Sequence, residues 1–163
     1  MGNDLLFRPA IEDDTELILS FIKALAAHVD KLDEVRVSGD AIRDWVFNKK
    51  NAQVTFAIKD GKEVGFAWFY YIFSTFSGKP VLFLEDLYVL PECRGEGYGK
   101  GILQELARTC VRRGCDRMEW HCLDWNQPSI DFYLSMGAQT VDDYSVYCLS
   151  GDSLRRMARG ADS

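Results

Sequence analysis

The sequence predicts a single domain over residues 1–163 of mixed α/β (α+β) class, with a central mixed, mostly antiparallel sheet flanked by helices. Three observations predict it. Residues 53–59, 64–76 and 81–90 are apolar and aromatic runs joined by turn formers, the pattern of an antiparallel meander. After Pro91 the apolar spacing switches to that of helices alternating with short strands. The 163 residues, 47% hydrophobic and 13% aromatic, suit one domain with one substantial core.

The elements follow in order. Leu5-Leu6-Phe7-Arg8-Pro9 reads as a first strand stopped by proline. Acids and Thr15 open a helix whose Leu17, Ile18, Phe21, Ile22, Leu25 and Val29 recur at helical spacing. A second helix starts near Ser38 with Ile42, Trp45 and Val46 on one face. Residues 53–59 form a strand, Asp60-Gly61 a hairpin turn, and 64–76 the returning strand. Ser77-Gly78-Lys79-Pro80 turns the chain into a third strand at 81–90. Beyond the loop that follows Pro91, Ile102, Leu103, Leu106, Ala107, Cys110 and Val111 mark a helix that Gly114 stops. Residues 118–123 form a strand, and Asn126 caps a helix running to Met136, with Pro128 just inside it and Gly137 beyond. Residues 145–149 are the last strand and 152–158 a short terminal helix, which completes a βαβαβ half.

A net charge of -6 argues against nucleic-acid binding, which needs a basic stripe. It suits a small cationic partner, although acidic surfaces also serve solubility. No apolar run reaches membrane-spanning length, and Met1-Gly2-Asn3-Asp4 lacks the features of a secretory signal. Cys93, Cys110, Cys115, Cys122 and Cys148 are odd in number and form no Cys-x-x-Cys pair; His28 and His121 are the only histidines. No metal site is expected, and reduced thiols in a cytoplasmic setting are.

The strongest chemical signal lies between a strand and a helix. Arg94 through Gly101 holds four glycines in eight residues. Such a loop lets backbone N–H groups converge on a phosphate at the positive end of a helix, and Arg94 adds a permanent cation. Lys100 is followed by Gly101 rather than Ser or Thr, which excludes a P-loop. The upstream meander excludes a dinucleotide-binding βαβ unit, despite Glu119 near the ribose-binding spacing.

Arg94-x-x-Gly97-x-Gly99 resembles the Arg/Gln-x-x-Gly-x-Gly/Ala signature of the GNAT acetyltransferase superfamily. Arg8-Pro9-Ala10, the residues from Leu84 to Val89, and Trp125-Asn126-Gln127-Pro128-Ser129-Ile130-Asp131-Phe132-Tyr133 resemble its diamine (spermidine/spermine) branch. The resemblance covers almost the whole chain. It implies the GNAT fold with a splayed sheet, acetyl-CoA as co-substrate, and a homodimer. It implies that the backbone of Leu87, Tyr88 and Val89 binds pantetheine. Gly95, Glu96, Gly97, Tyr98, Gly99 and Lys100 would hold the pyrophosphate with Arg94, and Asn126 and Ser129 would lie near the cofactor. Tyr133 matches the general acid for the departing thiolate, and Glu85 the base acting through water.

These residue types suit the chemistry. A protonated amine must lose a proton before it attacks a thioester, and a phenol can protonate the leaving thiolate. Direct transfer in a ternary complex needs no covalent enzyme intermediate. From pattern alone, Tyr133 reads more readily as core packing, and Glu85-Asp86 equally as a functional pair or a structural ion pair. Trp120 and Trp125 read as core or interface residues, and Cys93 has no neighbouring histidine to make it a nucleophile.

The acceptor is expected to be a small cationic amine: a polyamine, a diamine or a lysine-like amino acid. Where the diamine branch has Tyr-Glu at the end of the first helix, this chain has His28 and Val29. The candidate substrate-binding residues are therefore His28, Asp30, Glu85, Asp86 and Asp143, with Asp33, Glu34 and Asp142 nearby. Peptide or protein acetylation and a non-catalytic acetyl-CoA-binding regulator are the alternatives.

Overall fold

The computed structural model describes residues 5–141 and 143–160. The opening Met1, Gly2, Asn3 and Asp4, and the candidate acid Asp142, lie outside the described residues. The chain forms two compact units, Met1–His121 and Cys122–Ser163.

The first unit is built on a five-stranded sheet in sequence order: β1 (Leu6–Pro9), β2 (Gln53–Lys59), β3 (Lys62–Ser74), β4 (Lys79–Val89) and β5 (Met118–Trp120). The first four strands pair antiparallel and β5 joins β4 in parallel. Asp60 and Gly61 both take positive φ (50° and 74°), as a tight hairpin turn requires. The sheet is therefore mixed and mostly antiparallel, as expected.

Helices cover both faces. On one face α1 (Thr15–His28), α2 (Gly39–Ile42) and the turn that follows it (Arg43–Asn48) pack Ile18, Phe21, Ile42 and Val46 against Val54, Phe56, Phe66 and Tyr88. Phe21 stands at the centre, with ring contacts to Phe56, Phe66 and Tyr88. On the other face α3 (Tyr98–Arg112) buries Ile102, Leu103, Leu106 and Cys110. A Cβ on Gly65 would lie 3.0 Å from Ile102 Cδ1 and 2.8 Å from the Tyr88 carbonyl, so glycine lets α3 and β4 approach β3 closely.

Arg8 ties three segments together. Its guanidinium donates to Asp14 at 2.7 and 3.0 Å and to Glu63 at 2.7 Å, and lies 4.9 Å above the Phe56 ring. Its charge and hydrogen bonds hold both carboxyls below their ordinary range.

Several elements differ from expectation. After Ile42 the second helix widens into a π turn over Arg43–Asn48. The extra residue per turn rotates the following side chains, so Val46 stays buried while Trp45 is 47% exposed. Val111 and Ala107 of α3 face solvent, because the buried stripe is narrower than the apolar pattern. The strand expected at 118–123 pairs only over three residues.

The second unit contains α4 (Gln127–Ser135) and α5 (Gly151–Arg159). The strand expected at 145–149 is absent, so the expected βαβαβ pattern lacks its last strand although its second helix, α4, forms. Val146 and Tyr147 are 85% and 93% exposed, so these strand-favouring side chains are not buried against a sheet. Trp125, read as core or interface, is also exposed.

Candidate active site

The site begins with an irregularity in β4. Trp68 pairs with Asp86 and Phe69 with Leu84, which leaves Glu85 as an extra, bulged residue. Regular alternation would send Glu85 and Asp86 to opposite faces. The bulge breaks that alternation, and both carboxylates line one cavity of about 540 Å³. Ile22, Val37, Trp45, Asn51, Trp68 and Tyr70 form the rest of its lining.

The two acids differ. Glu85 is exposed, and its Oε2 accepts a hydrogen bond from the Tyr70 hydroxyl at 3.4 Å. Asp86 is half-buried; burial first, and the charge of Glu85 second, push its carboxyl up to about 6. Burial and the Glu85 charge also raise the Tyr70 phenol above its ordinary value. Sequence pattern identified the acids but missed Trp45, Trp68 and Tyr70. The available signal was Phe66, Trp68 and Tyr70 at alternate positions, facing the same side of a strand beside an acidic one.

β5 pairs with β4 only up to Leu84, so the β5 side of the backbone from Glu85 to Val89 has no strand partner among the described residues. This is the splay expected of the sheet, and Leu87, Tyr88 and Val89 lie on it. The loop after Pro91 follows directly. Gly95 and Gly97 take φ of 85° and 79°, a region that glycine enters without a Cβ penalty. Gly97 is the N-cap of α3 and offers no side chain to the first helical N–H groups. No acid occupies the first turn, so the amides of Tyr98, Gly99 and Lys100 and the helix dipole remain suited to an anion.

Arg94 donates from Nε to the Val89 carbonyl at 3.0 Å and lies 5.1 Å above the Tyr88 ring. This fixes the guanidinium beside the glycine loop and occupies one of the backbone carbonyls expected to meet pantetheine. Tyr98 is buried, so it can serve a ligand through its amide, whereas Lys100 is exposed. The His28 ring lies 6.1 Å from that of Tyr88. Asp30 lines a separate hollow with Ala27, Leu32 and Asp33, away from the lining of the Glu85–Asp86 cavity.

In the second unit, the Asn126 side chain accepts from the Ser129 amide at 3.4 Å and caps α4, with Pro128 in the first turn. Both residues are thus used in starting the helix that carries Tyr133. Burial raises the Tyr133 phenol above its ordinary value, and the nearby Cys122 adds to the effect. The hydroxyl is accordingly protonated throughout the neutral range. Asp143 lies exposed in a turn.

An open strand edge beside a glycine-capped helix start, with a fixed arginine at the gap, suits a ligand that carries phosphate. The chain belongs to the Acetyltransferase (GNAT) family, whose description matches residues 21–138; it is an N-acetyltransferase enzyme, and members of that family use acetyl-CoA. The thialysine N-epsilon-acetyltransferase of Sus scrofa is 31% identical over 166 residues, covering 94% of this chain and 97% of that protein. The spermidine/spermine N(1)-acetyltransferase-like protein 1 of Homo sapiens is 37% identical over 162 residues, covering 93% of this chain and 23% of the human protein. Among solved structures, an integron cassette protein from the mobile metagenome of V. cholerae superposes with a TM-score of 0.79 at 22% identity, covering 97% and 99% of the two chains. At that identity the likeness concerns the fold.

Proposed function

We propose that the chain transfers an acetyl group from acetyl-CoA to the primary amine of a small cationic substrate, by direct attack in a ternary complex. The observation that carries this reading is the pair of carboxylates, Glu85 and Asp86, brought onto one cavity by the β4 bulge. Small-amine acceptors in the names of the two relatives, thialysine and spermidine/spermine, support the same substrate class.

When bound, acetyl-CoA supplies the acetyl thioester. The amides of residues 95–100 and the Arg94 guanidinium hold its pyrophosphate; the uncapped first turn of α3 supports this. The open backbone edge of Leu87, Tyr88 and Val89 takes the pantetheine arm, and Asn126 and Ser129 lie near the cofactor. Glu85 removes a proton from the substrate ammonium through water, oriented by the Tyr70 hydroxyl. Tyr133 gives its proton to the departing sulfur, a role supported by the burial that keeps the phenol protonated.

One observation favours a second assignment of the base. Asp86, pushed up to about 6, is matched to proton transfer near neutral pH.

The proposal extends to assembly and setting. The family match crosses the boundary between the two units, which supports one functional domain. Exposed Val146, Tyr147, Leu149, Leu154 and Met157 support a homodimer. Five free cysteines support a reducing, cytoplasmic setting.

The test is thiol release from acetyl-CoA by the purified chain against polyamines, diamines, lysine analogues and peptides. Turnover with a small amine is the expected result. Turnover with peptides alone would make it a protein acetyltransferase. No turnover despite acetyl-CoA binding would make it a regulator.

A further inference from the structure

The acid pair occupies one position on the cavity wall, and most of the remaining lining is aromatic or aliphatic. Trp68 stands directly across from Asp86 in the β3–β4 ladder, and Tyr70 is bonded to Glu85. Trp45, from the π turn, leaves 47% of its surface exposed at the cavity although its neighbours on the helix are buried or half-buried. Ile22 and Val37 supply aliphatic surface, and Asn51 adds an amide to the lining.

A linear diamine or polyamine carries a second ammonium several carbons from the first, and a site selective for it would offer a second, separated acid. Among the described residues, the lining holds no acid other than the adjacent Glu85 and Asp86, while Asp30 and Asp33 belong to a separate hollow. The Trp45 ring is unsuited to another cation for a further reason. Lys49 Nζ already lies 6.0 Å from the Trp45 ring, and it is paired with Asp44 at 2.7 Å. A volume of about 540 Å³ lies within the range that encloses small organic ligands.

We propose that the preferred acceptor is an arylalkylamine: a single primary ammonium held at Glu85 and Asp86, on a short linker from a flat apolar ring received by Trp45, Trp68 and Tyr70. This rests on the reading of the cavity as the amine site and narrows its substrate class. The aromatic walls contribute ring–ring contacts to the body of the substrate, and the acids select its charge. Widening of the helix into a π turn is what brings Trp45 to the cavity instead of the core.

The test compares kcat/KM for 2-phenylethylamine and tyramine with that for putrescine, spermidine and thialysine, using the full chain and saturating acetyl-CoA. The arylalkylamines should exceed the linear amines by about tenfold or more. Equal or better use of any linear amine overturns the inference and leaves amine acetylation standing. Turnover of none removes both. Trp45→Ala, at an exposed position, should raise KM for 2-phenylethylamine about tenfold with little change in kcat or acetyl-CoA affinity, and Trp45→Phe should restore most of the loss. An unchanged KM, or an equal loss for putrescine, would overturn it.

Discussion

Asp86→Asn should stabilise the fold and disable the enzyme. The carboxyl titrates at about 6 in the folded chain against an ordinary value of 3.8. Between these values the folded state keeps a proton that the unfolded chain has released. Stability therefore falls as pH rises from about 4 to about 6 and stays low above that. A displacement of about two pH units corresponds to about 3 kcal/mol carried by the ionised, half-buried carboxylate. An amide at the same place keeps its own desolvation cost of about 1 kcal/mol. The expected net gain at neutral pH is about 2 kcal/mol, or a Tm higher by about 4–8 °C in a chain of this length.

Thermal unfolding at a series of pH values checks the reasoning. The gain should be full near pH 7.5 and shrink as pH falls through 6 toward 4, where the wild-type carboxyl is itself protonated. In parallel, kcat/KM for the amine should fall by about a hundredfold, and the rise in rate through pH 6 should vanish. An Asn variant less stable than wild type at pH 7.5, or equally stabilised at every pH, would refute the burial argument. A variant that keeps both activity and the pH 6 inflection would remove Asp86 from proton transfer and leave Glu85 as the base.

Tyr133→Phe should lower kcat about tenfold to a hundredfold while acetyl-CoA affinity stays within twofold; unchanged turnover would end its role as the acid. Arg94→Ala should weaken acetyl-CoA binding about tenfold or more by calorimetry, and Arg94→Lys should recover only part of it, because the Nε bond to Val89 is lost in both. Arg8→Ala should cost about 2 kcal/mol in denaturant unfolding, allowing for the partial exposure of the guanidinium. Because Asp14 and Glu63 are held below their ordinary range, the stability they contribute is present above about pH 4 and lost below it. The Arg8→Ala variant should therefore lose less stability than wild type on acidification.

What the sequence could convey divides along a physical line. Local signals located the meander, α1, α3 and the glycine loop, because periodicity and turn chemistry are properties of neighbouring residues. Asp60-Gly61 requires positive φ wherever it occurs, and Gly97 before an amphipathic run marks the same helix start in any context. Pairing register is not local. Val146 and Tyr147 are strand-favouring residues, yet both remain exposed, since composition gives a preference and only burial against a partner makes it a strand. The same limit hid the cavity. Glu85 and Asp86 were visible as acids in an apolar strand, but period two assigns them to opposite faces. Only the two-against-one pairing opposite Trp68 and Phe69 turns them together. Trp45 was hidden in the corresponding way, because a helix read at 3.6 residues per turn sends it to the core. Both departures fall at the proposed amine site. A regular strand and a regular helix would have closed this part of the sheet face with packing. One extra residue in β4 and one wider turn after α2 instead leave an acidic, aromatic-walled cavity beside the strand edge that the cofactor would use.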